Sequence, residues 1–294
     1  MDGTQGVVKF FWAKSELGYE WADAHEAFER APAIERFLVW KGNRGRREEI
    51  MVHFPDAYRA FAGTEISESG IAKFASLYGM LGGIASENGA PGVVREDAKE
   101  PKPIIKGERF SFWAKEINAM REAIDLWDLA AAGNQQELEK VISWENNSVI
   151  YSRQHIDAGG HSHDKVSLIA GENYQPALMN SMNQGDVLQA AEFFVQNVVN
   201  EGLSGRVSPR LLWNDEEGEL QLCLVPSTLI GAFWLQFAMA VDNRSEYLRC
   251  QHCHNWFQPT RKRSRKPQIY CSQACNMKAY RQRKKAARTD EAKI

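Results

Sequence analysis

The chain has 294 residues, of which 44% are hydrophobic and 25% are charged, with nine Trp and fourteen Phe. This composition excludes an intrinsically disordered chain, because disordered chains lack the apolar side chains that a core requires. The polar first residues do not resemble a signal peptide, and the most apolar stretch, residues 230–241, is twelve residues long and contains Gln236. Since about 20 apolar residues are needed to cross a bilayer, we expect a cytoplasmic protein without a membrane segment.

The net charge of −2 conceals a division between an acidic body and a basic end. Residues 249–288 contain twelve Lys or Arg and no Asp or Glu, whereas residues 1–248 carry a net charge of −13. This asymmetry predicts that the basic end binds a polyanionic partner or folds against the acidic body.

The first elements predicted along the chain are a β-hairpin and a helix. The apolar runs 37–40 and 49–54 flank the turn-forming residues 42–45, a pattern typical of two strands joined by a tight turn. Pro55 then begins a helix, because proline is favoured in a first turn, where its missing N–H has no partner to lose.

A second helix is expected to begin at the N-cap Ser67 and to end at Gly82 and Gly83. Residues 85–107 are rich in Gly, Pro and charged side chains, which predicts a linker. The expected organisation is an N-terminal α+β region (1–84), this linker, a helical α+β domain (108–248), a zinc finger (249–288) and a tail (289–294).

Large apolar residues recur at intervals of three and four over residues 111–131, which predicts a long helix. Its buried stripe is expected to comprise Trp113, Ile117, Met120, Ile124 and Trp127. Further helices are predicted over residues 135–144, over residues 185–200 and from Pro226, with strands at 149–152 and 166–169 and a hairpin of 210–213 and 220–225. The predicted fold class is α+β, with a mostly helical body and short β-hairpins.

Four of the five cysteines lie within 26 residues near the end of the chain. A Cys-x2-Cys turn places two thiolates on one side of the backbone, and the second pair lies at the start of a helix predicted from the N-cap Ser272. The helix N-terminus also favours the negative charge of thiolates. The spacing predicts one structural Zn²⁺ in a small treble-clef or zinc-ribbon-like finger, rather than four clustered buried thiols, with the ligands Cys250, Cys253, Cys271 and Cys275.

Basic side chains surround these cysteines in the positions of a nucleic-acid-binding surface. Five lie between the two cysteine pairs and four recur along the last predicted helix: Arg261, Lys262, Arg263, Arg265, Lys266, Lys278, Arg281, Lys285 and Arg288. Because Lys and Arg that neutralise phosphates release counterions, we predict salt-sensitive binding of nucleic acid, most simply DNA. A solvated basic segment resting on the acidic body is the alternative. Since a single finger gives little specific affinity, a homodimer is expected.

The stretch Cys250–Phe257, together with residues 270–275 and 279–283, resembles the CGNR-type zinc finger of bacterial proteins proposed to be transcription regulators. The resemblance implies that the four cysteines are the zinc ligands and that the flanking basic residues contact DNA. Two features differ from the family: three residues separate the second cysteine pair instead of four, and residues 276–278 replace Gly-Asn-Arg. In the body, residues 58–83 are similar to stretches of uncharacterised bacterial proteins that end in the same kind of finger.

The body carries no phosphate-binding glycine loop, and no catalytic set emerges from its sequence. Its candidate metal ligands are His155, His161, His163 and Asp164, because two His separated by one residue can bind a metal from one face of a strand. These residues leave a metal-dependent nuclease as one alternative to a DNA-binding regulator. A protein-interaction module with a structural zinc finger is the other.

Overall fold

A computed structural model describes residues 10–23, 35–42, 45–82, 107–145, 148–156, 161–170, 183, 185–214, 218–242, 248–249, 252, 256–257, 269–270, 273 and 275–281. The predicted linker lies outside these residues except for Gly107. Contacts divide the chain into two units, Met1–Ala238 and Met239–Ile294, so the predicted regions 1–84 and 108–248 lie mostly in the same unit. None of the described helices is long and apolar enough to span a membrane. Helices and strands are mixed throughout the first unit, which confirms an α+β body.

Two small antiparallel sheets form the beginning of the first unit. The strand β1 (Phe11–Ser15) pairs with β4 (Gly45–Glu49). The strands β2 (Tyr19–Asp23), β3 (Arg36–Trp40) and β5 (Gly107–Arg109) form a three-stranded sheet with β3 in the centre. The pairing of β3 with β5 joins the two sides of the predicted linker in one sheet.

The predicted hairpin of residues 37–40 and 49–54 is wrong. β3 pairs with β2 and β5, and the second apolar run contributes Glu49 to β4 and then forms the helix α1 (Ile50–His53). Phe37 and Leu38 point to opposite faces of β3 and are both 0% exposed, as expected of a strand in the middle of a covered sheet. A short apolar run such as 50–53 does not distinguish a strand from a buried helical turn.

The next two helices, α2 (Ala57–Ala62) and α3 (Glu68–Tyr78), agree with the predictions made from Pro55 and Ser67. The Ser67 hydroxyl accepts a hydrogen bond from the Gly70 N–H at 3.1 Å, which caps α3. The helix ends at Gly79 rather than at Gly82. Gly79 has a φ of 105°, and a Cβ there would lie 2.9 Å from the Trp12 ring, so both the backbone and the packing require glycine.

The long helix α4 (Phe110–Ala131) is the centre of the first unit, and all five residues of its predicted stripe are buried. Trp113 lies in an aromatic cluster with Phe61, Phe74 and Phe233, in which the packed ring centroids are 5.4 to 6.1 Å apart. Burying each of these side chains contributes on the order of 2–3 kcal/mol, and aromatic pairs add somewhat more. The cluster ties α4 to α2 and α3.

The helix predicted over residues 135–144 is wrong after its first turn. The helix α5 (Gln135–Leu138) is followed by β6 (Ile142–Glu145), which pairs with β7 (Ser148–Ile156). The strand β8 (Ser162–Ala170) completes this sheet, so the two predicted strands are confirmed and are longer than expected. Pairing with β7 supplies the hydrogen bonds that make residues 142–145 extended.

The last elements of the first unit follow the predictions. The helix α6 (Val187–Leu203) is capped by Asp186, whose carboxylate accepts from the Gln189 N–H at 2.9 Å. The strands β9 (Val207–Asn214) and β10 (Glu219–Pro226) form the predicted hairpin. The helix α7 (Leu229–Asp242) follows. Of the five residues predicted to form its buried side, Ile230, Phe233, Trp234 and Phe237 are buried, whereas Val241 is partly exposed.

A charged pair crosses the core between α2 and α4. The Arg59 guanidinium makes two hydrogen bonds to the Asp128 carboxylate, at 2.7 and 2.8 Å, and its side chain is 2% exposed. Burial disfavours the guanidinium charge, but the hydrogen bond and the charge of Asp128 outweigh it and raise the pKa of Arg59. The Arg59 guanidinium therefore stays charged at all ordinary pH values.

Replacing Asp128 with Ala should destabilise the protein strongly, because it leaves the buried Arg59 charge without its partner. We expect Asp128→Ala to lower the free energy of unfolding by about 2–4 kcal/mol, measured by chemical denaturation followed by circular dichroism. Lys140→Ala is the matched control, since the Lys140–Glu137 pair is exposed at 60% and 47% and should contribute less than about 1 kcal/mol. Equal effects of the two changes would contradict this account.

Candidate functional site

The described residues of the second unit include a short strand pair around the first two cysteines. The strand β11 (Leu248–Arg249) pairs antiparallel with β12 (Trp256–Phe257), with Leu248 opposite Phe257 and Arg249 opposite Trp256. Residues 250–255, which contain the Cys-x2-Cys motif, therefore connect the two strands of a hairpin. Two cysteines at this spacing can supply two of the four ligands of a structural zinc site.

A helical segment, residues 275–281, carries the last cysteine. Cys275 is half-buried and Ala279, one turn later, is 9% exposed, whereas Lys278 and Arg281 are exposed. The less exposed face of this helical segment thus carries the predicted ligand. Two of the predicted phosphate-binding residues, Lys278 and Arg281, are exposed to solvent on the same segment.

The other predicted finger residues lie outside the described part of the chain: Cys250, Cys253, Cys271, Arg261, Lys262, Arg263, Arg265, Lys266, Lys285 and Arg288. Within the described part, no group of three or more His, Cys, Asp or Glu side chains is arranged to hold a metal ion. Since three of the four cysteines fall outside that part, the zinc site stays a prediction.

The predicted histidine cluster of the body is divided between two strands. His155 of β7 lies opposite His163 of β8, with ring centroids 5.3 Å apart, while His161 and His163 are exposed. Asp164 lies in β8, and its side chain is outside the described structure. His155 contacts α4 through Asn118 and Glu122.

The partners of His155 define its protonation. Its Nδ1 lies 3.4 Å from Glu122 Oε1, and its Nε2 lies 3.3 Å from the Asn118 amide nitrogen. The Asn118 amide nitrogen is a hydrogen-bond donor, so Nε2 accepts from it and the ring N–H lies at Nδ1, facing Glu122. The Asn118 amide also donates to the Ile156 carbonyl at 2.7 Å, which fixes its orientation.

Next to His155 a cavity of about 360 Å³ opens between α4 and α6. Both helices contribute residues at intervals of three and four, so each presents one face to it. The strands β7 and β8 contribute one side chain each, and the start of β9 and α7 complete the lining. The lining residues are Lys115, Glu116, Ala119, Glu122, His155, Lys165, Phe194, Asn197, Val198, Glu201, Gly202, Arg206 and Trp234.

At one end of the cavity, Glu116 is a fully partnered buried carboxylate. Arg206 donates two hydrogen bonds to it, at 2.6 and 3.0 Å, and the Trp234 indole N–H lies 3.3 Å from Oε2. Two parallel N–H···O bonds are the strongest arrangement of an arginine and a carboxylate. This end of the cavity is therefore structurally fixed.

At the other end, Glu122 is also buried, with a side chain that is 6% exposed, but its contacts are long. Its oxygens lie 3.4 Å from His155 Nδ1 and 3.7 Å from Lys165 Nζ. Charge-assisted hydrogen bonds are normally about 2.7–2.9 Å long, so Glu122 keeps capacity to accept further donors. A buried carboxylate that is incompletely hydrogen-bonded costs free energy and marks a site where a ligand can supply the missing donors.

Comparisons of the chain with family models, curated proteins and solved structures find no match. The resemblance to CGNR-type fingers therefore stays a prediction.

The sequence analysis did not identify the charged residues of the cavity as a site, although the position of Glu116 in the sequence is unusual. Glu116 lies three residues after Trp113 and four before Met120, within the apolar stripe of α4. A carboxylate at such a position requires a buried partner. The partner, Arg206, is 90 residues away, and no local pattern identifies it.

Gly202 of α6 is required by the floor of the cavity. A Cβ at this position would lie 2.6 Å from the Cγ and Cε2 atoms of Trp234, which holds the hydrogen bond to Glu116. In an exposed helix, Gly→Ala stabilises by roughly 0.5–1 kcal/mol. We expect Gly202→Ala to destabilise instead, by about 1–3 kcal/mol, because the steric conflict exceeds the gain in helix propensity.

Urea unfolding followed by tryptophan fluorescence measures this change. Gly63→Ala is the control, since a Cβ at Gly63 meets its nearest neighbour, the Arg59 carbonyl oxygen, at 3.4 Å and its φ is −79°. The control should change stability by less than about 1 kcal/mol. A stabilised Gly202→Ala variant would show that Trp234 does not pack as described.

Proposed function

We propose that this protein binds nucleic acid, in the first place DNA, through a zinc-stabilised basic finger at residues 249–288. The observation that carries the proposal is the hairpin of β11 and β12, whose connection contains Cys250 and Cys253. The helical segment 275–281 adds to this support, because it carries a half-buried Cys275 together with the exposed basic side chains of Lys278 and Arg281. A hairpin followed by a ligand-bearing helix is the element order of a treble-clef finger.

The residues present suit Zn²⁺. Four cysteines in two closely spaced pairs match the thiolate ligands that a structural site prefers. Zinc would supply stability to a segment that is too short to bury a sufficient core of its own. Lys278 and Arg281 stay exposed on the helical segment and are available to phosphates.

The first test measures binding to a fluorescent DNA duplex, and to single-stranded DNA and RNA, over a salt series. Each lost phosphate contact should reduce the slope of log K against log [salt] by about 0.9, so Lys278→Ala/Arg281→Ala should reduce it by about 2 and weaken binding. The matched control, Lys73→Ala/Lys140→Ala, removes two exposed lysines of the first unit and should leave the slope unchanged. An unchanged slope in the finger variant would contradict the proposal.

The zinc prediction is tested by metal analysis of the same protein. We expect about one zinc per chain in the native protein and less in Cys275→Ser, with loss of DNA binding on chelation. The core variant Cys223→Ser, which changes a buried cysteine of β10, should keep its zinc. Full zinc in Cys275→Ser would remove that residue from the ligand set.

We also propose that the protein is a homodimer, and an outward-facing apolar surface on the β9–β10 hairpin supports this. The pairs Leu220–Trp213, Leu222–Leu211 and Leu224–Pro209 share one face of the hairpin. The five Leu and Trp side chains among them are 51–65% exposed, whereas Cys223 on the other face is buried. Antiparallel hairpins normally cover their apolar face, so this arrangement is the reverse of the usual one.

The size of this surface, which we call the hairpin face, suits a second copy of the chain. Its side chains expose on the order of 600 Å², which matches the largest patches on typical monomers. Two such faces in contact would bury on the order of 1,200 Å², the lower limit of specific interfaces. A two-fold dimer would place like residues around one axis and would join two fingers in one particle.

Sedimentation equilibrium of the full chain tests the dimer. Leu222→Lys places a charge in the middle of the hairpin face and should convert the dimer into a monomer without loss of helical content. The control is Leu77→Lys on α3, because Leu77 is 55% exposed but lies apart from that hairpin in sequence. A native protein that is monomeric at tens of micromolar, or a Leu222→Lys variant that stays dimeric, would contradict the proposal.

A further inference from the structure

The cavity between α4 and α6 belongs to the first unit. Nucleic-acid binding by the proposed finger gives no role to the charged residues that line this cavity. Its volume of about 360 Å³ lies at the lower end of the range for small-molecule sites. At about 30 Å³ per water molecule in the liquid, it has room for roughly a dozen non-hydrogen atoms. This size fits a metabolite of the size of an amino acid.

The charges that face the cavity balance. Three glutamates, Glu116, Glu122 and Glu201, are matched by three cations, Lys115, Lys165 and Arg206. Glu116 and Arg206 satisfy each other, which leaves two carboxylates and two ammonium groups for a ligand. A phosphate ligand would be repelled by the two remaining carboxylates. A ligand that carries one positive and one negative charge therefore suits this lining better.

The two kinds of charge have different surroundings. Glu122 is buried and incompletely hydrogen-bonded, so a ligand ammonium would replace its long contacts by short ones. No described residue forms an ion pair with Lys115 or Glu201, and Lys165 has Glu122 as its described partner at 3.7 Å. A ligand carboxylate therefore finds two lysines whose charge is not strongly engaged.

The rest of the lining is apolar. Phe194 and Val198 lie one turn apart on α6, and Ala119 contributes a small side chain from α4. Phe194 is held by Tyr151, with ring centroids 4.8 Å apart, and burial raises the pKa of Tyr151 to about 12 so that it stays neutral. An aliphatic or aromatic ligand side chain would bury its surface against these residues.

From the size, the balanced charges and the apolar wall, we propose that the cavity binds a free α-amino acid with an apolar side chain. Glu122 receives the ammonium group, Lys115 and Lys165 receive the carboxylate, and Phe194 and Val198 contact the side chain. Ala119 sets the space available on the α4 side. This inference is independent of nucleic-acid binding by the finger.

Isothermal titration of the full-length protein with leucine, methionine and phenylalanine tests the proposal, with thermal unfolding as a second readout. At least one of the three should bind and raise the melting temperature at millimolar concentration. The N-acetyl derivative lacks the ammonium group and the carboxamide lacks the carboxylate, so each should bind at least about tenfold more weakly than the parent amino acid. No binding of any of the three at 10 mM, on the order of the weakest useful affinity, would overturn the proposal.

Variants locate the site. Glu122→Gln keeps the shape and removes the charge, so it should weaken binding at least about tenfold. Ala119→Leu fills the cavity from α4 and should abolish binding while the protein stays folded, as checked by circular dichroism. The control is Glu192→Gln, an exposed glutamate of α6 outside the cavity lining, which should bind normally.

Three further outcomes would overturn the inference. If the N-acetyl and amide derivatives bind as well as the free amino acid, the cavity does not recognise the two charges. If Ala119→Leu binds normally, the ligand lies elsewhere. If Glu122→Gln and Glu192→Gln weaken binding equally, Glu122 does not receive the ligand ammonium group.

Lys115→Met tests the carboxylate end of the site separately, and it should weaken binding at least about tenfold.

Discussion

The first unit depends on the hydrogen bonds that the Glu116 carboxylate accepts. This carboxylate accepts two hydrogen bonds from Arg206 and lies within reach of the Trp234 indole N–H, so it links α4 to the start of β9 and to α7. Removing a carboxylate and a guanidinium from water is costly, and the bidentate geometry is what offsets the cost. Gly202 completes the arrangement because a side chain there would displace Trp234. One charged residue in an apolar stripe thus determines how three elements meet.

The same helix has two functions in the fold. Its apolar stripe packs Trp113 into the aromatic cluster with Phe61, Phe74 and Phe233 and contributes to the hydrophobic stabilisation of the first unit. Its polar face carries Asn118 and Glu122 to the sheet of β7 and β8, where they orient His155. The cavity is lined by this polar face of α4 together with α6, and its charged side chains would be costly to bury without partners. A polar helix face inside a domain therefore creates the space that we assign to a ligand.

The second unit follows a different physical principle. A short segment with few large apolar side chains cannot bury enough surface to fold on its own, and metal ligation is the usual substitute. We propose that the four clustered cysteines of this segment supply that substitute. Residues 249–288 carry twelve Lys or Arg and no Asp or Glu, whereas residues 1–248 carry a net charge of −13. A dimer through the hairpin face would double the finger without changing it.

Periodicity, capping and ligand spacing depend on residues that are near neighbours in the chain, so they can be recognised in the sequence. Such local patterns determined the helices α2, α3, α4, α6 and α7, the Ser67 cap, the β9–β10 hairpin and the clustering of four cysteines. Only the tertiary structure decided the partners of β3, the strand at residues 142–145 and the meeting of Glu116 with Arg206. Strand pairing and buried ion pairs join residues that are far apart in the chain, so their free energy depends on which surfaces the fold brings together. The sequence therefore specified the pieces, and long-range packing decided which charged side chains would share a cavity.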